Sequence, residues 1–393
     1  MKVLVTTTPA HGHFFPVVPL AWALRCAGHQ VLVAAPGDFA DAVGVAGLSV
    51  VATVDQARFE ELMFFDREGR PVERRSDPEG RLIASGRGWA RLAARALPTM
   101  LDLVRTWGPD LVISEPCEFA GRIAAADRGV PWVEHTWGLA IRPLLRQAAA
   151  DELAPELTGL AMAALPEPDL VVDLCLPRLQ WPDAPPARTI RCTPFNGSAR
   201  LPAWVWEKPS RPRICLTMGT MLPRMGANGV TDLVADLVAE LPGLGVEVIV
   251  AMAPDSLARM PQLPPGVRLA GWLPLSQVLP SCEVLIHHGG GGSMMAAIAA
   301  GVPQLVLPKP PADMIDNAER VAALGLGLAL LPGQVTTEGV LQACAALLRD
   351  PEYRQNALVA AAETAAQTAP AEIVSELELL AERSARTARP VRT

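Results

Sequence analysis

The stretch VLIHHGGGGSMMAAIAAGVPQLVLP, residues 284–308, decides the fold of this chain. An apolar strand ends at His287 and His288, four glycines follow, and a helix begins near Ser293. Glycines let the backbone approach a ligand closely, and the start of a helix offers unpaired N–H groups and a positive dipole end. In open α/β sheets, ligands bind outside the carboxyl ends of the parallel strands. The pattern therefore predicts a diphosphate site between a strand and a helix.

An ordinary dinucleotide fingerprint is the main alternative for this glycine run. It is weakened because the next strand ends at Pro308 and Lys309, with no acidic residue placed for an adenosine ribose. The first strand of the chain also lacks a glycine-rich turn and continues instead as PAHGH, residues 9–13. The paired histidines have no role in an NAD fingerprint, whereas an imidazole can donate a hydrogen bond to a phosphate oxygen.

Short apolar strands alternate with alanine-rich helices on both sides of the glycine run, a pattern typical of parallel sheets covered by helices. The strands predicted in the first half are Lys2–Thr6, Gln30–Ala34, Leu48–Val51, Asp110–Ile113 and Trp132–Glu134. Those predicted in the second half are Arg213–Thr217, Glu247–Met252, Val267–Ala270, Val284–His287 and Gln304–Leu307. A chain of 393 residues has room for two cores. We therefore predict an α/β protein with two doubly wound, Rossmann-like domains.

The domain boundaries follow from a break in this alternation. The segment Ser198–Arg213 contains three prolines and no periodicity, which favours a linker. We expect an N-terminal domain over residues 1–205, a C-terminal domain over residues 206–375, and a helical tail over residues 376–393.

Composition and charge exclude several classes of protein. The formal net charge of −7 offers no basic patch for nucleic acid. No run approaches the roughly 18 apolar residues that span a bilayer, and the N-terminal residues do not form a secretory signal. The seven cysteines are dispersed without a C-x-x-C pair, as is typical of buried thiols in a reducing compartment. We expect a cytoplasmic protein that binds neither nucleic acid nor membranes.

Four motifs in order along the chain carry a resemblance to a known family. They are Gly12-His13-Phe14-Phe15-Pro16 after the first strand, Gly271-Trp272-Leu273-Pro274, the loop His288-Gly289-Gly290 with Ser293, and the acidic stretch Asp313–Arg320. With these motifs the chain resembles nucleotide-sugar glycosyltransferases of the two-domain GT-B fold, in the branch that decorates macrolides and other bacterial antibiotics. The resemblance implies an inverting enzyme whose two domains face a cleft, with the acceptor on the first domain and the nucleotide on the second.

The resemblance also implies the catalytic residues. Inverting transfer needs a base for the acceptor proton, and His13 matches the family base; imidazole is suited to this work. His11, two residues earlier, is expected to have a minor role. The family places an acid after a strand like Pro109–Ile113, so Glu115 is the expected partner of His13. Many relatives carry Asp at this place; Glu118 and a plain surface acid are the alternatives.

The donor site follows from the same motifs. In the family, the tryptophan stacks on the base, the glycine turns and histidine contact the diphosphate, and the acidic stretch binds the sugar. Residues implied for the nucleotide and diphosphate are Gly219, Thr220, Trp272, Leu273, His288, Gly289, Gly290 and Ser293. The residues implied for the sugar hydroxyls are Asp313 and Asp316. A core position for Trp272 is the alternative to stacking.

Two departures from the family pattern concern the donor. Met314 stands where glucose-using relatives often carry Gln, which favours a less hydroxylated sugar. Ala296 stands three residues after Ser293, where UDP-sugar enzymes often carry a Glu that holds the ribose. A 2′-deoxyribose needs no such partner, so we expect dTDP over UDP, with a deoxysugar such as L-rhamnose. The alternative for Ala296 is packing of the helix against the sheet.

We therefore expect transfer of a deoxysugar from a dTDP-sugar to a hydroxyl of a hydrophobic macrolide or polyketide aglycone. The alternatives are a UDP-sugar transferase acting on a lipid or cell-wall intermediate, and a non-catalytic relative that assists another transferase. No Asp-x-Asp metal pattern is present, so we expect no cofactor and no essential metal. The chain begins at its first strand without the extension that binds helper proteins in some relatives. We expect no helper, and the sequence leaves a homodimer open.

Overall fold

The computed structural model describes residues 1–73, 77–219, 230–252, 264–309 and 312–387. The chain divides into two compact units. The first unit contains Met1–Cys175, Gln180–Arg191 and the chain from Thr368 onward. The second unit contains Leu176–Leu179 and Cys192–Gln367. No helix in the described ranges is both long enough and apolar enough to cross a membrane.

The first unit is built on a parallel sheet. Its strands in the described ranges are β1 (Lys2–Thr6), β2 (Gln30–Ala35), β3 (Ser49–Ala52), β4 (Leu111–Ser114), β5 (Trp132–His135), β6 (Leu170–Asp173) and β7 (Arg188–Thr189). They run side by side in the order β3-β2-β1-β4-β5-β6-β7. The helices of the unit are His11–Phe14, Val18–Cys26, Ala40–Val45, Phe59–Phe64, Pro78–Trp107, Ala120–Arg128, Pro143–Glu152, Ala154–Gly159 and Val374–Thr387, with 3₁₀ turns at Phe15–Val17 and Gly37–Phe39.

The long helix Pro78–Trp107 covers one face of this sheet. Asp77 caps its start by accepting a hydrogen bond from the Gly80 amide at 2.8 Å. Gly108 ends it with a φ of 62°, a left-handed conformation that suits glycine. Between the caps, apolar residues such as Met100 pack against Val112 of the sheet. This burial keeps the sheet rigid beneath the loops that follow its strands.

The second unit repeats the architecture. Its strands in the described ranges are β8 (Arg213–Thr217), β9 (Glu247–Ala251), β10 (Val267–Ala270), β11 (Val284–His287), β12 (Gln304–Val306) and β13 (Gly327–Ala329). They run parallel in the order β10-β9-β8-β11-β12-β13. The described helices are Val230–Glu240, Leu275–Val278, Gly291–Ala300, Ala312–Ala323, Thr337–Arg349 and Pro351–Ala366, with 3₁₀ turns at Ala203–Val205, Leu241–Leu244 and Leu279–Ser281.

Strand β8 shows why this second sheet is buried on both faces. Ile214 and Leu216 belong to one apolar core, and Cys215 between them belongs to another. Successive side chains of a strand point to opposite faces, so helices must cover both. The predicted fold class, two parallel-sheet α/β domains, is confirmed. Strands β6, β7 and β13 were not predicted.

The two units do not follow the boundaries expected from the sequence. The proline-rich segment Ser198–Arg213, expected to be a linker, lies inside the second unit. It is held there because Val205 is buried in the core and Arg213 donates to the Trp204 carbonyl at 3.0 Å. The C-terminal helix belongs to the first unit, where Glu378 lies 3.0 Å from His29.

Candidate active site

The first candidate site lies where the strand order of the first sheet reverses, between β1 and β4. Thr6 at the end of β1 pairs with Ser114 at the end of β4. The segments that follow these two strands therefore meet at the carboxyl edge of the sheet, the position where open α/β sheets bind ligands. His13 comes from the first segment and Glu115 from the second.

His13 and Glu115 are in contact at this edge. The His13 Nδ1 atom lies 3.2 Å from Glu115 Oε1, and the imidazole is 19% exposed while the carboxylate is 2% exposed. Thr8, which the sequence did not indicate, joins the pair. Its hydroxyl donates to Glu115 Oε1 at 2.7 Å and lies 2.8 Å from His13 Nδ1. Because Nδ1 faces the carboxylate, its proton points there and Nε2 is left as the proton acceptor.

The carboxylate of Glu115 is kept ionised by its surroundings. Burial disfavours the charged form, but the charge and hydrogen bond of His13 and the donors Cys117 N–H and Thr8 outweigh it and lower the pKa of Glu115. The Cys117 amide donates to Oε2 at 2.7 Å. Both oxygens thus have donors, and the negative charge is available to stabilise a protonated His13.

Glu118, the alternative partner, has another role. It accepts hydrogen bonds from the Ala120 and Gly121 amides at 3.0 and 2.9 Å, at the start of the helix Ala120–Arg128. Burial raises the pKa of Glu118, against the hydrogen bonds from Thr6 and Gly121. The structure therefore brings Glu115, and not this capping carboxyl, to His13.

Two tryptophans hold the His13 ring in place. Trp137 stacks on it with ring centroids 4.1 Å apart and an interplanar angle of 25°. Trp89 lies 5.3 Å away at a tilt. These apolar faces limit rotation of the imidazole and exclude water from part of its surface. His11 instead packs edge-on against Phe15 and Phe39, at 5.0 and 5.3 Å.

A buried ion pair supports the turn that carries Glu115. Arg122 donates to the Pro116 carbonyl at 2.9 Å and lies 3.4 Å from Glu134, and both charged side chains are almost fully buried. The guanidinium also lies over the rings of Phe119 and Trp132 at 4.8 and 4.7 Å. Buried charges of this kind are costly to leave unpaired, so the network fixes the course of residues 115–118.

The second candidate site lies at the equivalent reversal in the second sheet. Strands β8 and β11 are neighbours there, and Thr217 pairs with His287. Gly219 follows β8, and His288 follows β11, so the two predicted phosphate-contacting turns meet at the carboxyl edge of the sheet. Thr220, which we also assigned to the diphosphate, lies outside the described residues.

Glycines make room for the His288 ring. Gly219 has a φ of +66°, and a Cβ added there would lie 2.3 Å from His288 Cε1. A Cβ at Gly290 would lie 2.6 Å from His288 Nε2. The imidazole is 6% exposed, and its Nδ1 atom has no hydrogen-bond partner among the residues that the structure describes. Burial lowers the pKa of His288 to about 4, so the ring is neutral near pH 7 and can donate one hydrogen bond.

The helix Gly291–Ala300 starts beside this histidine. Its N-cap is Gly290, which has no side chain to cap the first amides. Ser293 is half-buried at the third helical position, with its amide 3.1 Å from the Gly290 carbonyl. An uncapped helix start with a buried imidazole lacking a partner is suited to an anion.

Two polar residues that the sequence did not single out shape the diphosphate loop. Gln304 lies 2.9 Å from His287 Nε2, and the Gly289 amide donates to His287 Nδ1 at 3.1 Å. Asn317 donates to the Gly289 carbonyl at 2.7 Å. Gly289 itself has a φ of +94°, and a Cβ there would meet the Met314 carbonyl at 2.6 Å. The loop is thus tied to β12 and to the helix Ala312–Ala323.

The Gly271–Pro274 motif is only partly open to a ligand. Trp272 is half-buried, and its indole N–H donates to the Asn196 carbonyl at 2.7 Å. The amide oxygen of Asn196 accepts from Ser276 N–H at 3.0 Å. Leu273 is buried in an apolar core, so only its backbone could contact a nucleotide.

The acidic residues lie at the start of the helix Ala312–Ala323. Asp313 is exposed and Asp316 is half-buried, and their spacing of three places both on one side of the helix. Met314 is buried next to Gly289. The predicted sugar-binding carboxylates therefore lie on the helix that packs against the diphosphate loop.

Ala296 is buried within the second unit. Its side chain is 1% exposed and belongs to the apolar core that also contains Leu273 and Val278. This burial favours the alternative, packing of the helix against the sheet. The link between Ala296 and the ribose stays a prediction.

Replacing this residue distinguishes the packing interpretation from the ribose interpretation. We expect Ala296→Glu to lower the free energy of unfolding by about 3–5 kcal/mol, because a carboxylate would be buried without a partner. Chemical denaturation measures the change. Ala362→Glu is a matched control, since Ala362 is exposed on the helix Pro351–Ala366 of the same unit. A stable Ala296→Glu protein with improved UDP affinity would favour the ribose interpretation.

Comparisons with known proteins agree with this fold and these two sites. The family model of the erythromycin biosynthesis protein CIII-like N-terminal domain matches residues 22–219, and that of the C-terminal domain matches residues 235–380. An L-demethylnoviosyl transferase from Streptomyces niveus is 42% identical over 96% of this chain and 97% of its own.

Two solved structures are also similar over nearly the whole chain. A glycosyltransferase from Streptomyces sp. SF2575, complexed with thymidine diphosphate, is 37% identical with a TM-score of 0.85, covering 96% of this chain and 99% of its own. The spinosyn rhamnosyltransferase SpnG is 33% identical with a TM-score of 0.84, covering 96% and 100%. It has also been solved with thymidine diphosphate and with the spinosyn aglycone.

Two Rossmann-like units, each with a site at its strand reversal, define a glycosyltransferase of the GT-B fold. The chain belongs to the erythromycin biosynthesis protein CIII-like family, whose members in antibiotic pathways glycosylate natural products. The expected class of enzyme is thereby confirmed.

Proposed function

We propose that this enzyme transfers a deoxysugar from a dTDP-sugar to a hydroxyl group of a hydrophobic macrolide or polyketide aglycone, with inversion at the anomeric carbon. The observation that carries the proposal is the pairing of His13 with the buried Glu115. A partly exposed imidazole oriented by an ionised carboxylate is the arrangement that a general base requires.

The pair of His13 and Glu115 explains how the acceptor hydroxyl is activated. His13 Nε2 takes the proton of the acceptor hydroxyl as its oxygen attacks the anomeric carbon. Glu115, 3.2 Å from Nδ1, stabilises the imidazolium that forms. A small, mostly apolar recess beside this pair includes Trp89, Leu92 and Phe119. Aromatic and aliphatic side chains of this kind are suited to contact an apolar group of an acceptor.

The second unit accounts for the leaving group. As the bond from the anomeric carbon to the diphosphate breaks, the negative charge moves to the diphosphate oxygens. His288 Nδ1, buried without a partner, and the uncapped amides of the helix Gly291–Ala300 are the donors for that charge. Asp313 and Asp316 are proposed to accept hydrogen bonds from the sugar hydroxyls.

The nucleotide and sugar are inferred from relatives. Two similar structures were solved with thymidine diphosphate, and one of them is a spinosyn rhamnosyltransferase. L-rhamnose is therefore a donor sugar to test first. The competing function, a UDP-sugar transferase for lipid or cell-wall intermediates, has no observation in its favour here. We also propose that the enzyme needs no metal, because histidine and backbone donors can hold the diphosphate.

A donor and acceptor screen tests the proposal. The protein is incubated with dTDP-L-rhamnose, other dTDP-deoxysugars and UDP-sugars, each with a set of polyketide aglycones that includes the spinosyn aglycone. Mass spectrometry should detect a glycoside with dTDP-sugars, and excess EDTA should leave the rate unchanged. Transfer from UDP-sugars alone, or to lipid acceptors alone, would contradict it. A protein that gives no product but accelerates another transferase would be a helper.

Gly219→Ala tests the role of His288 without removing a donor. The added Cβ would push the ring from its place, so we expect the Kd for dTDP to rise about 10- to 100-fold, as for loss of one hydrogen bond to a charged group. Gly245→Ala is the control: its φ of +77° imposes a similar backbone strain, and its Cβ would meet no atom within 4 Å. Calorimetric titration with dTDP measures both. Equal losses in the two variants would point to strain alone.

A further inference from the structure

Cys117 lies two residues after Glu115, in the turn that the buried Arg122 supports. Its thiol is buried, and its backbone amide donates to Glu115 Oε2. Within the described part of the chain, His13, Glu115 and Cys117 form a group whose possible metal-ligating atoms all lie within 4.8 Å of one another. The proposed mechanism uses the imidazole and the carboxylate, and it gives the thiol no role.

We propose that His13, Glu115 and Cys117 form an inhibitory binding site for a thiophilic divalent cation, with Zn²⁺ as the representative ion. Imidazole nitrogen, carboxylate oxygen and thiolate sulfur are the ligands that zinc takes in proteins, at about 2.0–2.3 Å. The three ligand atoms lie within 4.8 Å of one another. Small side-chain movements are therefore enough to place each of them at bonding distance from one zinc ion. Three protein ligands leave a fourth position for water, as in zinc sites that are open to solvent.

The charge of the site fits a divalent ion. Glu115 is ionised, and Cys117 loses its thiol proton to solvent when zinc binds, so two negative ligands face two positive charges. The buried site then changes from one negative charge to none, and this neutrality avoids the large cost of an isolated ion. Thr8, whose hydroxyl donates to Glu115 Oε1, keeps the carboxylate oriented. The 19% exposed His13 ring gives the ion access from solvent.

Metal binding would remove the base. Zinc takes the lone pair of Nδ1, so the proton that Nδ1 carries toward Glu115 moves to Nε2, and the imidazole stays neutral. Nε2 is the atom proposed to receive the acceptor proton, and once protonated it cannot do so. This part rests on the proposed function, whereas metal binding itself does not.

Zinc affinity is measured first, on the full chain, by competition with a chromophoric chelator. We expect one tight site in the wild type and at least about a 10-fold weaker affinity in Cys117→Ala, because a ligand is lost. Cys26→Ser is the matched control, since Cys26 is an exposed thiol. It should leave the tight site intact. Co²⁺ substituted for Zn²⁺ should show a thiolate charge-transfer absorption that Cys117→Ala abolishes.

Several outcomes overturn the proposal. They are the absence of a tight zinc site in the wild type, equal affinity in Cys117→Ala, and loss of the site in Cys26→Ser. Thermal melting of each variant, with Cys117→Ser as a second and more conservative replacement, separates ligand loss from unfolding. In the activity experiment, zinc should inhibit sugar transfer by the wild type, and EDTA should reverse the inhibition. Half-inhibition of Cys117→Ser, measured relative to the rate of that variant without zinc, should need a higher zinc concentration. If no transfer is found, the proposed function fails while the binding arm still decides the metal site.

Discussion

His13→Ala should lower kcat by about 10²–10⁴-fold, the usual contribution of a positioned general base. The imidazole is the group between Glu115 and the acceptor, and alanine leaves only water to take the proton. The Kd for dTDP should change little, because the proposed nucleotide contacts are in the second unit. Single-turnover kinetics with a dTDP-sugar and the best aglycone, together with calorimetry, measures the two quantities.

His11→Ala is the control for this experiment. His11 is also an imidazole on the same short helix, but its ring packs against Phe15 and Phe39. We expect it to retain most of its activity. If His11→Ala were the slower of the two variants, the assignment of the base would be wrong.

Glu115→Gln should also reduce kcat by about 10²–10⁴-fold, with little change in KM for the acceptor. The amide is nearly the same size as the carboxylate, but it carries no charge to stabilise the imidazolium. Its NH₂ group can also face Nδ1, which would force the ring into the wrong tautomer. The pKa of Glu115 lies below its usual range, which favours the ionised carboxylate near neutral pH.

The double variant shows whether the two residues act as a unit. If Glu115 works only through His13, His13→Ala combined with Glu115→Gln should be no slower than His13→Ala alone. Multiplicative losses would mean that Glu115 has an independent role, such as holding the turn that contains Cys117. Thermal melting should accompany the kinetics, since Glu115 also accepts hydrogen bonds from Thr8 and the Cys117 amide.

The pairing of His13 with Glu115 was predictable because strand ends in a doubly wound sheet meet at one edge. Thr8 and Trp137 were not predictable in the same way. Thr8 is the last of three successive threonines, the first of which ends β1, and its hydroxyl becomes important only through the conformation of the turn that follows. Trp137 lies in the loop after β5 and stacks on His13. The path of a loop cannot be predicted from the spacing of apolar residues in the sequence.

The limits of the sequence have physical causes too. The helix Gly291–Ala300 is apolar almost throughout, so its sequence alone does not indicate whether Ala296 faces the ribose or packs in the core where the structure buries it. The segment Ser198–Arg213 has the composition of a linker, yet the burial of Val205 and the hydrogen bonds of Arg213 fix it in the second unit. Prolines predict the absence of regular structure, but they do not predict the absence of packing.

The route of the backbone has a consequence for dissecting the enzyme. The chain leaves the first unit after Cys175, returns for Gln180–Arg191, and comes back again from Thr368 to supply the helix Val374–Thr387. No single cleavage can therefore release either half intact. A fragment ending near residue 205 would lose the helix whose Glu378 meets His29, and the complementary fragment would carry that helix without its sheet. Donor-site swaps between relatives must accordingly exchange an internal segment and restore the native C-terminal helix.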